Sequence, residues 1–576
     1  MKHVSSLWLG WPVAGLFLIM LWLAGPAARA QAPAWQMATG AGGAYSKVTA
    51  TTTDASGNVY SAGNFTGTIS FGAISLTSTG GTDMFITKWS RSSGSFVWAQ
   101  RAGGTADDYA AAVAVSGANV YVAGGFASST AGFGSIVLSN TAIGANDVFV
   151  AKLADAGTTA AFSWAQQVGG VGFEGASALA ISGSNVYMAG TFSSQTITIG
   201  STILTKSSTN PIIDNGFIAK LSDAGTTGSF AWAQACGGRA YPNRLAASGA
   251  NVYVVGNFTG GPTSFGNITL TNVAYFDVFV AKLVDMGSIS SYAWAQQAGG
   301  TGADQAFAVA VSGSNVYVAG IFDSPTASFG SVTVATAGTF DVFVTKLTDA
   351  GPSSTFTWAV RAGGTDSDAA TALAVSGTSL YLAGGIGSTA AGFGNSTLTN
   401  AANTQFNQDG FVAKLTDAGS SAGFIWAKQL GGAGDDLVNA VAINGTSLYV
   451  AGYISPSASF DNQTIASPVG ATVGFLASLT DPTLTATTPA LSGAAFTLAP
   501  NPAHTSTTVT LSALPGTASA TLTLLDALGR AVRTTTVALP PAGLRHELNL
   551  TGLAPGLYAL RVAAGPATVT RRLVVE

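Results

Sequence analysis

Carboxylates recur at one place in a repeated stretch of this chain. Asp108, Glu174, Asp304, Asp368 and Asp436 each stand four residues after the second glycine of a Gly-Gly pair, a place taken by Lys47 and Pro242 in two other copies. Acids gathered at a channel mouth could bind Ca2+ through oxygen ligands, but one acid per loop is too sparse for an EF-hand-like chelate. Turn capping, or pairing with a lysine, is the plainer use of such residues. Lysines are periodic too: Lys88, Lys152, Lys220, Lys282, Lys346 and Lys414, with Ser478 in the last copy. Five residues before them stand Asp83, Asp147, Asn215, Asp277, Asp341 and Asp409. An odd step along a strand points two side chains to opposite faces. Each lysine is therefore expected to latch onto an acid of an adjacent strand or sheet.

Histidine is confined to His3, His504 and His546, outside the repeats. Ser-His-Asp or Cys-His catalysis and His-ligated zinc are thereby excluded from them. Paired carboxylates of the glycosidase kind remain available through Asp, yet the acids follow the repeat instead of converging as one unusual pair. One copy breaks the pattern: Arg239, Tyr241, Asn243 and Arg244 replace the usual small and acidic residues. These four are the candidate binding residues, with simple drift of the repeat as the alternative. A recurrent Phe-Gly pair (Phe71, Phe133, Phe265, Phe329 and Phe393 with the glycine after each) suits an aromatic platform for sugars or a small hairpin with its Phe turned inward. Cys236 is the sole cysteine, so no intramolecular disulfide forms, and a small buried hydrophobe is its ordinary role. A net charge of −4 leaves no basic footprint for nucleic acid.

The elements that position these residues follow from two in-phase markers. Trp35, Trp98, Trp164, Trp232, Trp294, Trp358 and Trp426 are spaced by 63, 66, 68, 62, 64 and 68 residues. Tyr60, Tyr121, Tyr187, Tyr253, Tyr317, Tyr381 and Tyr449 recur with them, each followed three residues later by glycine. Within one period, AVAVS, NVYVAG, DVFVAKL and FSWAQQ alternate as strands, separated by turns such as Ser116-Gly117-Ala118 and Asp155-Ala156-Gly157. Four strands in each of seven units is the arithmetic of a seven-bladed β-propeller. Small residues place AVAVS innermost, and the Trp strand then lies at the rim. The first Trp strand precedes any full unit and the last unit lacks one, so the N-terminal strand is expected to close the seventh blade. The long loops, from outer to inner strand and from second to third strand, share the face better suited to binding.

Lys2 and His3, an apolar run from Leu7 to Ala24 and Ala28-Arg29-Ala30 read as a signal peptide over residues 1–30, with a membrane anchor as the alternative. The propeller is expected over residues 31–481, a Thr/Pro/Ala linker over 482–495, and a small Ig-like β-sandwich over 496–576. The fold class is thus all-β. The repeats resemble the seven-bladed β-propeller repeats of exported bacterial proteins, through their Gly-Gly-x-x-x-Asp, Asn-Val-Tyr-Val-Ala-Gly, Asp-x-Phe-Val-Ala-Lys-Leu and Trp-Ala-Gln phrases; this implies a fold and not an activity. Residues 496–576 resemble the type IX secretion sorting domain of Bacteroidetes-type bacteria. The resemblance rests on Pro500, Asn501 and Pro502; on Asp526, Gly529 and Arg530; on Gly556 and Tyr558; and on Arg571 and Arg572. It implies the type IX machinery as a partner, passage through the outer membrane, and release or attachment to surface lipopolysaccharide. The expected function is a secreted or cell-surface, non-catalytic binding or scaffold module for a glycan or protein, with Ca2+ the one cofactor to consider. A propeller-type polysaccharide hydrolase or lyase is the alternative.

Overall fold

The computed structural model describes residues 32–207, 214–401, 407–467, 470–484, 496–511, 519–526, 530–540, 543–564 and 567–576. The expected signal peptide, and the expected linker from residue 485 to 495, lie outside the described residues. Among the described residues the regular elements are all strands, and no helix is long and apolar enough to cross a membrane.

Seven antiparallel sets of four strands repeat over residues 35–480; five are separate sheets, and the fourth and sixth are extended to six strands by the small hairpin of the following repeat. In the second, Asp108–Ser116, Asn119–Phe126, Asp147–Asp155 and Ala160–Val168 lie side by side in chain order. The innermost turn holds Gly117 at φ +59°, a conformation open to glycine. The second strand is buried on both faces from Val120 to Phe126, which explains its near-continuous apolar run. In the seventh sheet Trp35–Gly40 pairs with Val473–Thr480, beside Ser447–Ile454 and Leu437–Asn444. That pairing covers an edge otherwise open to association.

The cores lie between sheets. One joins Tyr60, Ile86 and Trp98 of the first sheet to Val113, Val120 and Val122 of the second. Another joins Tyr449, Ala451 and Leu476 of the seventh to Val48, Val59 and Phe85 of the first. The order of neighbours is therefore cyclic. Trp98, Trp164, Trp232, Trp294, Trp358 and Trp426 are all nearly buried on the outer strands. Each removes on the order of 200 Å² from water, worth about 5 kcal/mol as an upper bound.

Six of the seven seams carry the same buried ion pair. Lys88 Nζ meets Asp155 Oδ2 of the next sheet at 2.6 Å. Lys152–Asp223, Lys220–Asp285, Lys282–Asp349, Lys346–Asp417 and Lys414–Asp481 repeat it. The acid is the last residue of the third strand of the next sheet, or in the case of Asp481 the residue just after it. Tyr60 Oη and Trp98 Nε1 donate to the same Asp155 at 2.7 and 3.0 Å. Burial pushes these carboxyls up, but the lysine and tyrosine outweigh it, holding Asp155 and Asp349 below the ordinary range and Asp481 at about 2. At the seam from seventh to first sheet Ser478 replaces the lysine, and Trp89 packs on Tyr449 with ring centroids 6.0 Å apart.

Toward the C-terminus, Phe496–Ala499, Ser506–Leu511 and Leu544–Asn549 form one sheet. Ala531–Ala538, Ser519–Leu525, Gly556–Ala564 and Ala567–Val575 form a second. They share a core that includes Phe496, Val509, Leu522, Leu548 and Leu560.

Candidate binding cavity

A β-bulge falls at the same place in the inner strand of every sheet. The residues it leaves unpaired are Thr49, Ala111, Ser177, Asn243, Phe307, Thr371 and Asn439. A bulge bends the strand and re-aims its side chains. The glycine three residues after each tyrosine lies opposite: a β-carbon on Gly124 would collide with Tyr109 O, and one on Gly256 with Tyr241 O. All seven bulge residues line one cavity of about 400 Å³, together with Asn64, Tyr109, Ala110 and Arg244. A narrower cavity of about 150 Å³ shares part of this wall and is otherwise lined mainly by Ala, Val and Leu of the inner strands.

Five bulge side chains stitch their sheet to the next. Thr49 Oγ1 donates to Ala110 O at 2.8 Å, Asn243 Nδ2 to Ala306 O at 2.9 Å and Asn439 Nδ2 to Val48 O at 2.8 Å. Ser177 and Thr371 donate likewise to Pro242 O and Val438 O. The Asn439 bond joins the seventh sheet to the first. Ala111 and Phe307 have no group for this bond. The hydroxyl hydrogens of Thr49, Ser177 and Thr371 and both amide hydrogens of Asn243 are thus committed, and their oxygens remain as acceptors, while Asn439 keeps one amide hydrogen.

The residue after the bulge is alanine in six sheets (Ala50, Ala112, Ala178, Ala308, Ala372 and Ala440) and arginine in the fourth, Arg244. Its Nη1 donates to Ser177 O at 3.3 Å and to Asn243 O at 3.0 Å. Arg244 is the one charged residue among those lining either cavity. Burial pushes its pKa down, yet a guanidinium keeps its proton at neutral pH. Of the four residues singled out in this repeat, Asn243 and Arg244 line the cavity. Arg239 and Tyr241 do not; the Tyr241 ring packs edge-on against Phe276, with centroids 6.2 Å apart.

The recurrent acids sit in the seams between sheets, away from the cavity wall. Asp108 Oδ2 accepts the Gly104 N–H at 2.6 Å and the Ser128 hydroxyl at 2.7 Å, which is loop capping. Strand register corrects the two copies thought to carry Lys47 and Pro242 in the acid's place. Asp108 pairs with Phe126, and its counterparts are Ser46, opposite Phe65, and Ala240, opposite Phe258. The loops there are shorter, so counting from Gly-Gly slips.

Each acid also meets the first acid of the preceding sheet's third strand. A β-carbon on Gly299 would lie 2.5 Å from Asp277 Oδ1 and 2.7 Å from Asp304 Oδ2, and Gly363 sits likewise between Asp341 and Asp368. Oδ1 of Asp83, Asp277 and Asp341 is buried without a hydrogen bond. Arg101 pairs with Asp83 at 2.6 Å and Arg361 with Asp341 at 3.1 Å. Asp277 has the neutral Gln297 instead, at 2.8 Å. Burial, with the like charge of Asp304 added, pushes Asp277 up to about 6. Burial likewise pushes Asp436 up to about 7. Among the described residues no group of three or more His, Cys, Asp or Glu is placed to hold a metal ion.

The Phe-Gly pairs form the turned-in hairpin. Phe133 is fully buried and meets Phe162 edge-on at 5.5 Å. Cys236 is buried, and burial pushes its thiol up to about 12, which leaves no reactive thiolate at neutral pH.

The C-terminal residues singled out by motif hold local structure. Asn501 Nδ2 donates to Arg572 O at 2.7 Å, and its Oδ1 accepts the Val574 N–H at 2.9 Å, tying the Pro500–Pro502 segment to the last strand. Pro500 O accepts the Thr507 hydroxyl at 2.7 Å. Asp526 and Arg530 form an ion pair at 2.8 Å, and Gly529 between them lies outside the described residues. Tyr558, two residues into the strand that begins at Gly556, donates its hydroxyl to Ala554 O at 2.9 Å. Arg571 and Arg572 are exposed on the last strand. No curated protein matches the chain. Residues 497–576 match the family described as the secretion system C-terminal sorting domain, and this tail indicates export through type IX secretion to the cell surface or the extracellular space.

Proposed function

We propose that residues 31–481 are a seven-bladed β-propeller that serves as a non-catalytic binding or scaffold module for a glycan or protein at the surface of a Bacteroidetes-type bacterium. Residues 496–576 are then an Ig-like sandwich that addresses it to the type IX machinery, once the signal peptide at 1–30 is removed and with 482–495 as linker. The cyclic order of seven sheets and the N-terminal strand in the seventh support the propeller. One observation carries the binding reading: a cavity of about 400 Å³, ringed by seven bulges, in which one unit departs from the repeat at Arg244. A polysaccharide hydrolase or lyase would want carboxylates on that wall, and its lining residues include none. The test is a glycan array probed with the purified mature chain and with Ala111→Phe, which narrows the cavity. Saturable binding that Ala111→Phe weakens is expected. Binding untouched by Ala111→Phe would move the site elsewhere, and release of cleaved glycan would favour the enzyme.

A further inference from the structure

Resting on the cavity as the binding site, we infer that its ligand class is a sugar acid, whose carboxylate is held by Arg244. Three features of the wall carry this. First, its charge is unbalanced. Arg244 is the one charged residue in the lining of both cavities and enters no ion pair among the described residues, although the chain as a whole is acidic at −4. A cation surrounded by low-dielectric walls and lacking a counterion attracts an anion. Nη1 is spent on two carbonyls. Nε and Nη2 form the guanidinium edge that suits a planar carboxylate in two-point contact.

Second, the other polar groups of the wall offer acceptors and donors together. Thr49, Ser177 and Thr371 give their hydrogens to neighbouring carbonyls, and Asn243 gives its two to Ala306 O and Asn257 Oδ1, so that their oxygens remain as acceptors. Asn439 gives one of its two amide hydrogens to Val48 O, and Asn64, whose Oδ1 accepts the Ala110 N–H at 2.8 Å, presents its amide as donor. A ligand rich in hydroxyls, which both donate and accept, fits such a ring.

Third, Tyr109 and Phe307 are partly exposed on the same wall, a pairing of aromatic and polar groups that suits the C–H face and the hydroxyls of a pyranose. The cavity, at about 400 Å³, has room for a terminal sugar residue of a longer chain. Both pieces come from positions where the sheets differ. Phe307 replaces the stitching residue of the fifth, and Arg244 the alanine of the fourth.

Calorimetric titration of the full mature chain with D-galacturonate and, separately, D-galactose tests the assignment. Galacturonate is expected to bind about tenfold or more tightly than galactose, with salt weakening the acid alone. Arg244→Met is expected to erase that preference, bringing the galacturonate affinity down to that of galactose. Should Arg244→Met melt early, Arg244→Lys replaces it, retaining the charge but losing the two-point contact, and a partial loss of preference is expected. Equal affinity for the two sugars, or a preference that survives Arg244→Met, overturns the inference. Neutral glycans that bind on the array and are blocked by Ala111→Phe would overturn it too, while leaving the propeller's binding role standing. No binding to either sugar or to the array overturns both.

Discussion

Replacing the carboxyl of Asp277 by an amide should make this protein more stable above neutral pH. Asp277 is fully buried, and its Oδ2 accepts the Val273 N–H at 2.6 Å and the Gln297 amide at 2.8 Å. Its Oδ1 has no donor and faces Asp304. The folded pKa is about 6, against about 3.9 in an unfolded chain. The sign follows from that difference. A raised carboxyl contributes stability below its unfolded pKa, and the contribution is lost as pH rises through the folded value. Two pH units correspond to about 3 kcal/mol lost by about pH 8. The amide in Asp277→Asn mimics the protonated acid: its oxygen keeps both donors, and its NH2 can donate to Asp304. Denaturant melts across about pH 4 to 8 should show Asp277→Asn level with the parent in acid and about 1–3 kcal/mol more stable in base, with a flatter slope. The same change at Asp83 should have the opposite sign, because it strips Arg101 of its 2.6 Å partner. A parent-like pH slope in Asp277→Asn, or a loss of stability in base, would refute the reasoning that burial beside Asp304 holds a proton on Asp277.

Lys282→Met leaves Asp349 buried without its cation; Tyr253 and Trp294 still donate to it, so the loss should sit near the low end of the usual range, about 3 kcal/mol in a chemical melt. The whole chain should be most stable in a window around pH 4, where the raised acids still hold their protons and the latch acids have already lost theirs. Above that window the raised acids Asp277 and Asp436 ionise, at about 6 and about 7. Below it the depressed latch acids are protonated, Asp481 last at about 2; midpoints measured against pH would trace the dome. Removing residues 31–40 uncovers Val473–Thr480 as an edge, and light scattering should report association of the shortened chain.

Much of the fold was legible because it is local or periodic. Alternation within AVAVS or DVFVAKL reports strands without knowledge of their neighbours, and the spacing of the tryptophans reports how many units there are. The tail was legible through short motifs. Other features escaped. The lysine latch was expected, but its acceptor was not named. The acid lies one period ahead, 67 residues from Lys88 and 71 from Lys152. A signal was present: the repeats whose predecessor carries the lysine also carry Asp at that place, and the first repeat, packed against the seventh sheet with its Ser478, has Ser90-Arg91 there. The bulges were hidden because one extra small residue in a strand of small residues leaves the pattern unchanged. Their trace is the glycine after each tyrosine, which must yield to a carbonyl across the strand.

By itself the sequence determined an exported, all-β chain of seven like units with a sorting tail, since those properties reside in composition, period and motif. Tertiary structure alone decided which acids pair, which copies lack them, and that Arg244 meets no counterion among the described residues while Arg239 and Tyr241 stay off the cavity. The physical reason is distance. Burial and charge balance depend on neighbours one period away or on the opposite end of the chain, and local pattern carries no record of where those neighbours will be.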